Sequence, residues 1–223
     1  MLIPEARWLG SKLHSLPNSA LCPLLNVGSQ TRHFREVEQP WIEHYLFAPL
    51  RNRQCRILHL DLQQGEGIDI VGDLADAQFR ARVQNEDFLS AICSNLLEHV
   101  NNPREVAHWL ASLVRPGGYL FVSCPYRFPY HPDPIDTMFR PNVAELAGLF
   151  PNCQIVDQAI VNCGTYATFL ATRELWAPGA LCRSLMTRPA PAPQGDAQPS
   201  RSGRLFPWLF KSFRATCLIL RKQ

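Results

Sequence analysis

"FLSAICSNLLEHVNNPREVAHWLASLVRPGGYLFVSCP", residues 88–125, holds two apolar runs with a helix-like segment between them. The runs at 88–95 and 117–125 carry no Asp, Glu, Lys or Arg and end in Asn95 and Pro125, as buried strands do. Between them Val106, Trp109, Leu110, Leu113 and Val114 fall at helical spacing behind Pro103, a residue suited to a helix start. Strand, crossover helix and strand make a unit whose two strands lie parallel.

The same alternation extends outward. Strand signals occur at 23–27 (PLLNV), 55–62 (CRILHLDL) and 68–74 (IDIVGDL) before the quoted unit, and at 153–161 (CQIVDQAIV) and 214–222 (RATCLILRK) after it. Helical signals occupy 40–50 and 141–150, and a weaker one covers 75–87. Seven strand signals alternating with helices predict an α/β protein with a parallel, doubly wound sheet. A chain of 223 residues, 46% hydrophobic and 18% charged, suffices for one such domain. No internal repeat is present.

Composition excludes several functions. A net charge of +3 without a Lys/Arg run argues against nucleic acid. No segment reaches the roughly 18–20 apolar residues of a membrane span, and the first residues lack a secretory signal pattern. The eight cysteines show no CxxC or Cys/His ligand spacing, so no metal site is expected. They read as small buried hydrophobes in a reducing cytoplasm.

In open α/β sheets, ligands bind beyond the carboxyl ends of the strands. Gly28 follows the first strand, Asp61 ends the second and Asp73 ends the third. A glycine allows close backbone approach to a ligand, and an acid at the next strand end suits ribose hydroxyls. A plain turn explains Gly28 taken alone.

The segment 88–140 resembles the second half of class I S-adenosylmethionine-dependent methyltransferases, and within them the type 11 group. The matching pieces are the Leu97-Glu98-His99-Val100 turn, the helix after Pro103 and the Arg115-Pro116-Gly117-Gly118 entry to the fifth strand. The likeness covers about residues 22–161. It implies a three-layer α/β/α sandwich on a mostly parallel seven-stranded sheet with an antiparallel last strand. It implies S-adenosylmethionine as cofactor, held by the turn Asn26–Gln30 with Gly28, by Asp61 at the ribose, by Asp73 near the adenine, and by Asn95 and Leu96 beside the transferred methyl. Two departures stand out. Asn26 replaces the acid that commonly opens the glycine-rich loop, and Gln30 stands at its second glycine. Both are expected to weaken binding, and a methyltransferase-fold binding or scaffold protein without catalysis is the alternative.

His131, Asp133, Asp136 and Arg140 lie within ten positions, among prolines at 125, 129, 132 and 134 that keep the chain extended. They read as a substrate-side lid, with His99 or His131 as general base. The bland alternative is an Asp136–Arg140 pair capping the next helix. The stretch HPDPIDTMFRP (131–141) resembles a methyltransferase sub-group with a His-x-x-Pro-x-Asp pattern, and that resemblance implies a sugar or lipid-linked glycan as acceptor.

The chain divides into an N-terminal leader (1–20) and one domain (21–223) with an insertion at 163–213. Within it, 188–203 (RPAPAPQGDAQPSRSG) reads as a disordered loop. The aromatic and basic stretch 204–214 (RLFPWLFKSFR) reads as a cap on the core, with contact to a membrane surface as the other reading. The expected location is the cytoplasm, membrane-peripheral under that second reading.

Overall fold

The computed structural model describes residues 1–83, 87–131, 135–176 and 206–223. Seven strands form one sheet: β1 (Leu24–Val27), β2 (Ile57–Asp61), β3 (Ile70–Val71), β4 (Phe88–Ser94), β5 (Val114–Arg127), β6 (Cys153–Asn162) and β7 (Arg214–Lys222). Their order is β3-β2-β1-β4-β5-β7-β6. β1 pairs in parallel with both β2 and β4, and β4 with β5, whereas β7 runs antiparallel between β5 and β6. The chain order reverses between β1 and β4, the switch point at which such sheets open a crevice for ligands.

Alternation along the strands loads both faces. Leu24, Ile92, Phe121 and Ile219 face α1 (Ile3–Ser15) and the winding segment 34–52, while Leu25, Ala91, Cys93, Leu120, Val122 and Leu218 face the other layer. That second layer is α2 (Ala77–Val83), α3 (Pro103–Leu113) and α4 (Val143–Ala147). α3 is capped by the Asn102 side chain, which accepts from the Glu105 N–H, and it buries Val106, Ala107, Trp109, Leu110 and Leu113. The Gly117-Gly118 entry to β5 has a steric reason: a Cβ on Gly118 would stand 2.4 Å from the Leu89 carbonyl oxygen. Residues 1–20 are built into the core, since α1 buries Ile3, Ala6, Leu9 and Leu13.

Some elements differ from the sequence reading. The third strand shrinks to two residues. The helix expected over 40–50 is wound as Pro40–Ile42, a wider π-type turn Glu43–Phe47, and Ala48–Asn52. Pro49 has no N–H to give to the Tyr45 carbonyl, and the His14 Nε2 donates to that oxygen instead at 2.6 Å. The helix over 141–150 is confined to Val143–Ala147, opened by a reciprocal Asn142–Glu145 cap. Cys22 and Cys55 are joined as a disulfide, so not all eight cysteines are free thiols. They stand just before β1 and β2, neighbouring strands whose pairing brings their ends together.

After β6 the chain forms α5 (Tyr166–Trp176), whose Phe169 meets Trp41 edge-on. Residues 188–203 and Leu205 lie outside the described residues. Of the segment leading into β7, Trp208 is half-buried and stacks on buried Phe213, with ring centroids 5.2 Å apart, whereas Phe210 is 80% exposed. Among the described residues no helix is long and apolar enough to cross a membrane.

Candidate active site

The carboxyl ends of β1 to β4 converge on one cavity of about 830 Å³. Asn26, Gly28, Gln30, Asp61, Asp73, Asn95 and Leu96 all line it, as do His99 and His131. The sequence-predicted cofactor residues and both candidate bases therefore share one space. Asp136 and Arg140 stand behind its wall, and Asp133 lies outside the described residues.

The turn after β1 is held tightly. Gly28 has φ +69°, and a Cβ there would come within 3.1 Å of Leu96 Cδ1, so a side chain at this position would be strained and would crowd Leu96. Gln30 also takes a left-handed conformation, φ 56°, without being glycine. Its N–H donates to Asp61 Oδ2 at 2.7 Å, and Gln63 N–H donates to Asp61 Oδ1 at 3.2 Å. Asp61 thus ties the loops after β1 and β2 together at the cavity edge. Asp73 sits exposed on the rim, its carboxylate accepting from the Ala75 N–H.

Asn26 is buried, and its Nδ2 lies 3.1 Å from His59 Nδ1, directly across the β1–β2 ladder. Burial, with Arg35, Arg51 and Arg32 nearby, pushes His59 down to about 3. The ring is therefore neutral near pH 7, and its unprotonated Nδ1 accepts from the amide. An amide fits beside a neutral imidazole, which accounts for an asparagine where a loop acid was expected.

Two residues escaped the sequence reading. Buried Arg35 donates to the carbonyls of Ser29, Gln30 and Gly67, bracing the turn from below, and burial lowers its pKa to about 10. Buried Glu5, on α1, accepts from Ser123 Oγ at 2.6 Å and Asn95 Nδ2 at 2.8 Å. It fixes Asn95, which has φ 50°, at the end of β4. Neither carries a motif; only the alternation of buried positions on α1 marks the face on which Glu5 lies.

The opposite wall is a one-turn helix, Leu97–His99, laced to the segment after β5. The Glu98 carbonyl accepts from Thr137 N–H at 2.9 Å and Thr137 Oγ1 at 3.0 Å, and His99 Nδ1 donates to the Ile135 carbonyl at 2.5 Å. Asp136 collects the His131 and Met138 N–H groups and both terminal nitrogens of Arg140. Burial alone would raise its pKa, but the hydrogen bond from Arg140, with those of the two amides, holds it at about 2. The Asp136–Arg140 pair does form, yet Asn142 caps α4; the pair serves instead to fold the segment carrying His131. The His99 and His131 rings meet edge-on, 5.0 Å between centroids. Burial lowers the His131 pKa, so that ring too is neutral near pH 7. The Glu98 side chain is fully buried, and burial drives its pKa up to about 8.

The family model described as a methyltransferase domain matches residues 14–152. The chain belongs to this methyltransferase family. Among solved structures it is similar to coclaurine N-methyltransferase bound to N-methylheliamine and SAH, with TM-score 0.54 and 12% identity over 97% of this chain and 69% of that one. It is also similar to the MccD protein, with TM-score 0.50 and 12% identity over 97% and 96%. These likenesses concern the fold. Relatives matched by sequence include ubiquinone biosynthesis O-methyltransferases. That of Salmonella typhimurium is 35% identical over 77 residues, 34% of this chain and 29% of that protein. The mitochondrial one of Dictyostelium discoideum is 38% identical over 42 residues, 18% and 13%. The matches thus span less than a third of these relatives. Family and fold are those of class I S-adenosylmethionine-dependent methyltransferases, with S-adenosylmethionine as the cofactor.

Proposed function

We propose that this methyltransferase transfers a methyl group from S-adenosylmethionine to the hydroxyl oxygen of a small-molecule acceptor. The observation that carries the reading is the single cavity at the switch point, which joins Gly28, Asp61 and Asn95 on one wall to His99 and His131 on the other. Its residues fit the cofactor. The volume is within the roughly 300–1,000 Å³ of ligand sites, and Gly28 keeps the backbone close where a side chain would collide. Asp61 accepts one N–H on each oxygen, and each has lone-pair capacity left for a ribose hydroxyl. Asn26, Gln30, Leu96 and Asp73 complete that wall. The bound cofactor would supply an electrophilic methyl group on a sulfonium.

The chain's own part is positioning. Arg35 and Asp61 hold the turn; Glu5 holds Asn95; Asp136 and Arg140 fold the lid, with Asp133 assigned to it. The neutral His131 ring, or His99 beside it, takes the proton of the acceptor hydroxyl. Phe128, Phe169 and Phe213 give the cavity an apolar wall. A sugar or lipid-linked glycan and the aromatic acceptors of ubiquinone-type chemistry are the acceptor classes to screen. One domain, with α1 of the expected leader packed into its core and an insertion at 163–213, goes with this reading. So does a cytoplasmic setting in which the 204–214 segment acts as a cap on the core, with contact to a membrane surface as the alternative; thiol alkylation of the purified chain reads out the Cys22–Cys55 bond there.

Calorimetric titration with S-adenosylhomocysteine tests the reading. Saturable binding that weakens in Asp61→Ala supports it. The left-handed Gln30 favours the second reading, a scaffold that holds no cofactor; absence of binding at millimolar ligand would establish it.

A further inference from the structure

Glu98 is the outlier of this molecule. Its side chain is fully buried, and neither oxygen has a hydrogen-bond partner among the described residues. An unpaired buried carboxylate is costly, and such groups are normally paired or coordinate a metal. Two imidazoles stand over it. His99 Nε2 lies 3.7 Å from Glu98 Oε1. One ligand atom from each of Glu98, His99 and His131 falls within 4.8 Å of the others.

The rings are prepared for ligation. His99 gives its Nδ1 proton to the Ile135 carbonyl at 2.5 Å. His131 Nδ1 faces the Pro129 carbonyl at 3.1 Å and Asp136 Oδ2 at 3.2 Å. Each arrangement fixes the ring through Nδ1 and leaves Nε2 as the nitrogen to face an ion, the outer-shell pattern of metal-bound histidines. An ion at about 2.0–2.2 Å from each donor needs the three atoms roughly 3–3.5 Å apart, so the site closes with side-chain movements of about 1 Å.

We propose that Glu98, His99 and His131 form a mononuclear site for a divalent first-row transition ion of the zinc or manganese class. Two imidazoles and one carboxylate suit such ions rather than calcium or magnesium, which prefer all-oxygen sites. Because both histidines line the cavity, the open coordination positions face the acceptor side. The ion pins the His131 segment to the turn after β4. In place of a histidine base, it would hold an acceptor hydroxyl and lower its pKa, so that the proton passes to solvent water and the alkoxide oxygen takes the methyl from the sulfonium; this last role rests on the methyl-transfer reading, whereas binding of the ion does not.

The test uses full-length protein, freed of metal by chelator and containing no cofactor. It is titrated with Mn²⁺, followed by the electron paramagnetic resonance of the free ion, and separately with Zn²⁺ against a chromophoric chelator. The expected result is one ion per chain, with affinity at least tenfold lower in Glu98→Gln and in His131→Gln, and unchanged in His33→Gln, a surface histidine. Circular dichroism melts check folding; should Glu98→Gln fail to fold, His131→Gln decides. No stoichiometric binding of either ion, or equal affinity in wild type and His131→Gln, overturns the proposal.

Discussion

The two walls of the cavity solve opposite problems. On the β1–β2 side every departure from the expected loop is compensated. Asn26 has His59 across the ladder, and Gln30, in a glycine-like conformation, gives its N–H to Asp61. Buried Arg35 absorbs three carbonyls below it. On the β4–β5 side the lid is equally well tied, through Asp136, Arg140 and Thr137, yet it closes over a Glu98 carboxyl that has no hydrogen-bond partner among the described residues. A site whose polar groups are all satisfied is one built for shape; a site that keeps an unsatisfied acid is one built to meet something charged. In the proposed reading, the difference separates a wall that shelves the cofactor from a wall that engages the reacting end.

The contrast breaks most readily at Asp136. Asp136→Ala leaves the largely buried Arg140 unpaired and releases two amides, a loss of about 3–5 kcal/mol. For a chain of this length that lowers the melting temperature by about 10 °C, read by calorimetry. Because the folded-state pKa is depressed to about 2, the wild-type contribution is present above the unfolded value of about 4 and is lost as pH falls from there toward 2. The Asp136→Ala variant should lack that acid-side loss.

Glu98 should behave in the opposite sense. Its folded-state pKa is raised to about 8. Its contribution is therefore most favourable below about pH 4 and declines as pH rises to about 8. Metal-free Glu98→Gln should be more stable than wild type at pH 8, by about 1–3 kcal/mol, and the gap should shrink toward pH 5. A constant gap across that range would show that the carboxylate has a partner after all.

Outside both walls, Trp208 on Phe213 tests the cap. Half-buried stacking predicts that Trp208→Ala costs about 1–2 kcal/mol, a few degrees of melting temperature. Anionic liposomes should bring down little protein at low salt. An unchanged melting temperature together with co-sedimentation would assign the segment to a membrane surface.

The smallest effect is expected at Gln30. Gln30→Gly removes left-handed strain of about 1 kcal/mol but loosens the unfolded chain by a similar amount. Stability should barely move, while S-adenosylhomocysteine affinity rises by less than about threefold.

The fold was legible because buried parallel strands leave long uncharged runs. β4, β5 and β7 lie where the apolar segments 88–95, 117–125 and 214–222 fall. β3 shrank because its pairing with β2 extends over only two residues. Gly28, Asp61 and Asp73 were readable as strand-end residues of a switch-point sheet, and Asn95 and His99 through the family likeness. Arg35, Glu5 and the His59 partner of Asn26 were not, since each acts through a contact made only in the fold: Glu5 lies 118 residues from Ser123 and 90 from Asn95, Asn26 lies 33 from His59, and Arg35 lies 32 from Gly67. The metal-ligand cluster was hidden for the same reason: Glu98-His99 and His131 sit on different loops, so no short spacing betrays them.

The central claim, that the wall after β1 and β2 is a cofactor shelf, is tested most directly by calorimetry of S-adenosylhomocysteine binding to wild type and Asp61→Ala. Loss of charge-assisted hydrogen bonds worth roughly 1.5–3 kcal/mol predicts one saturable site in the wild type and at least tenfold weaker binding in the variant. Equal affinity in both would remove Asp61 from the site, and no heat of binding in wild type or Gln30→Gly at millimolar ligand would contradict the claim outright.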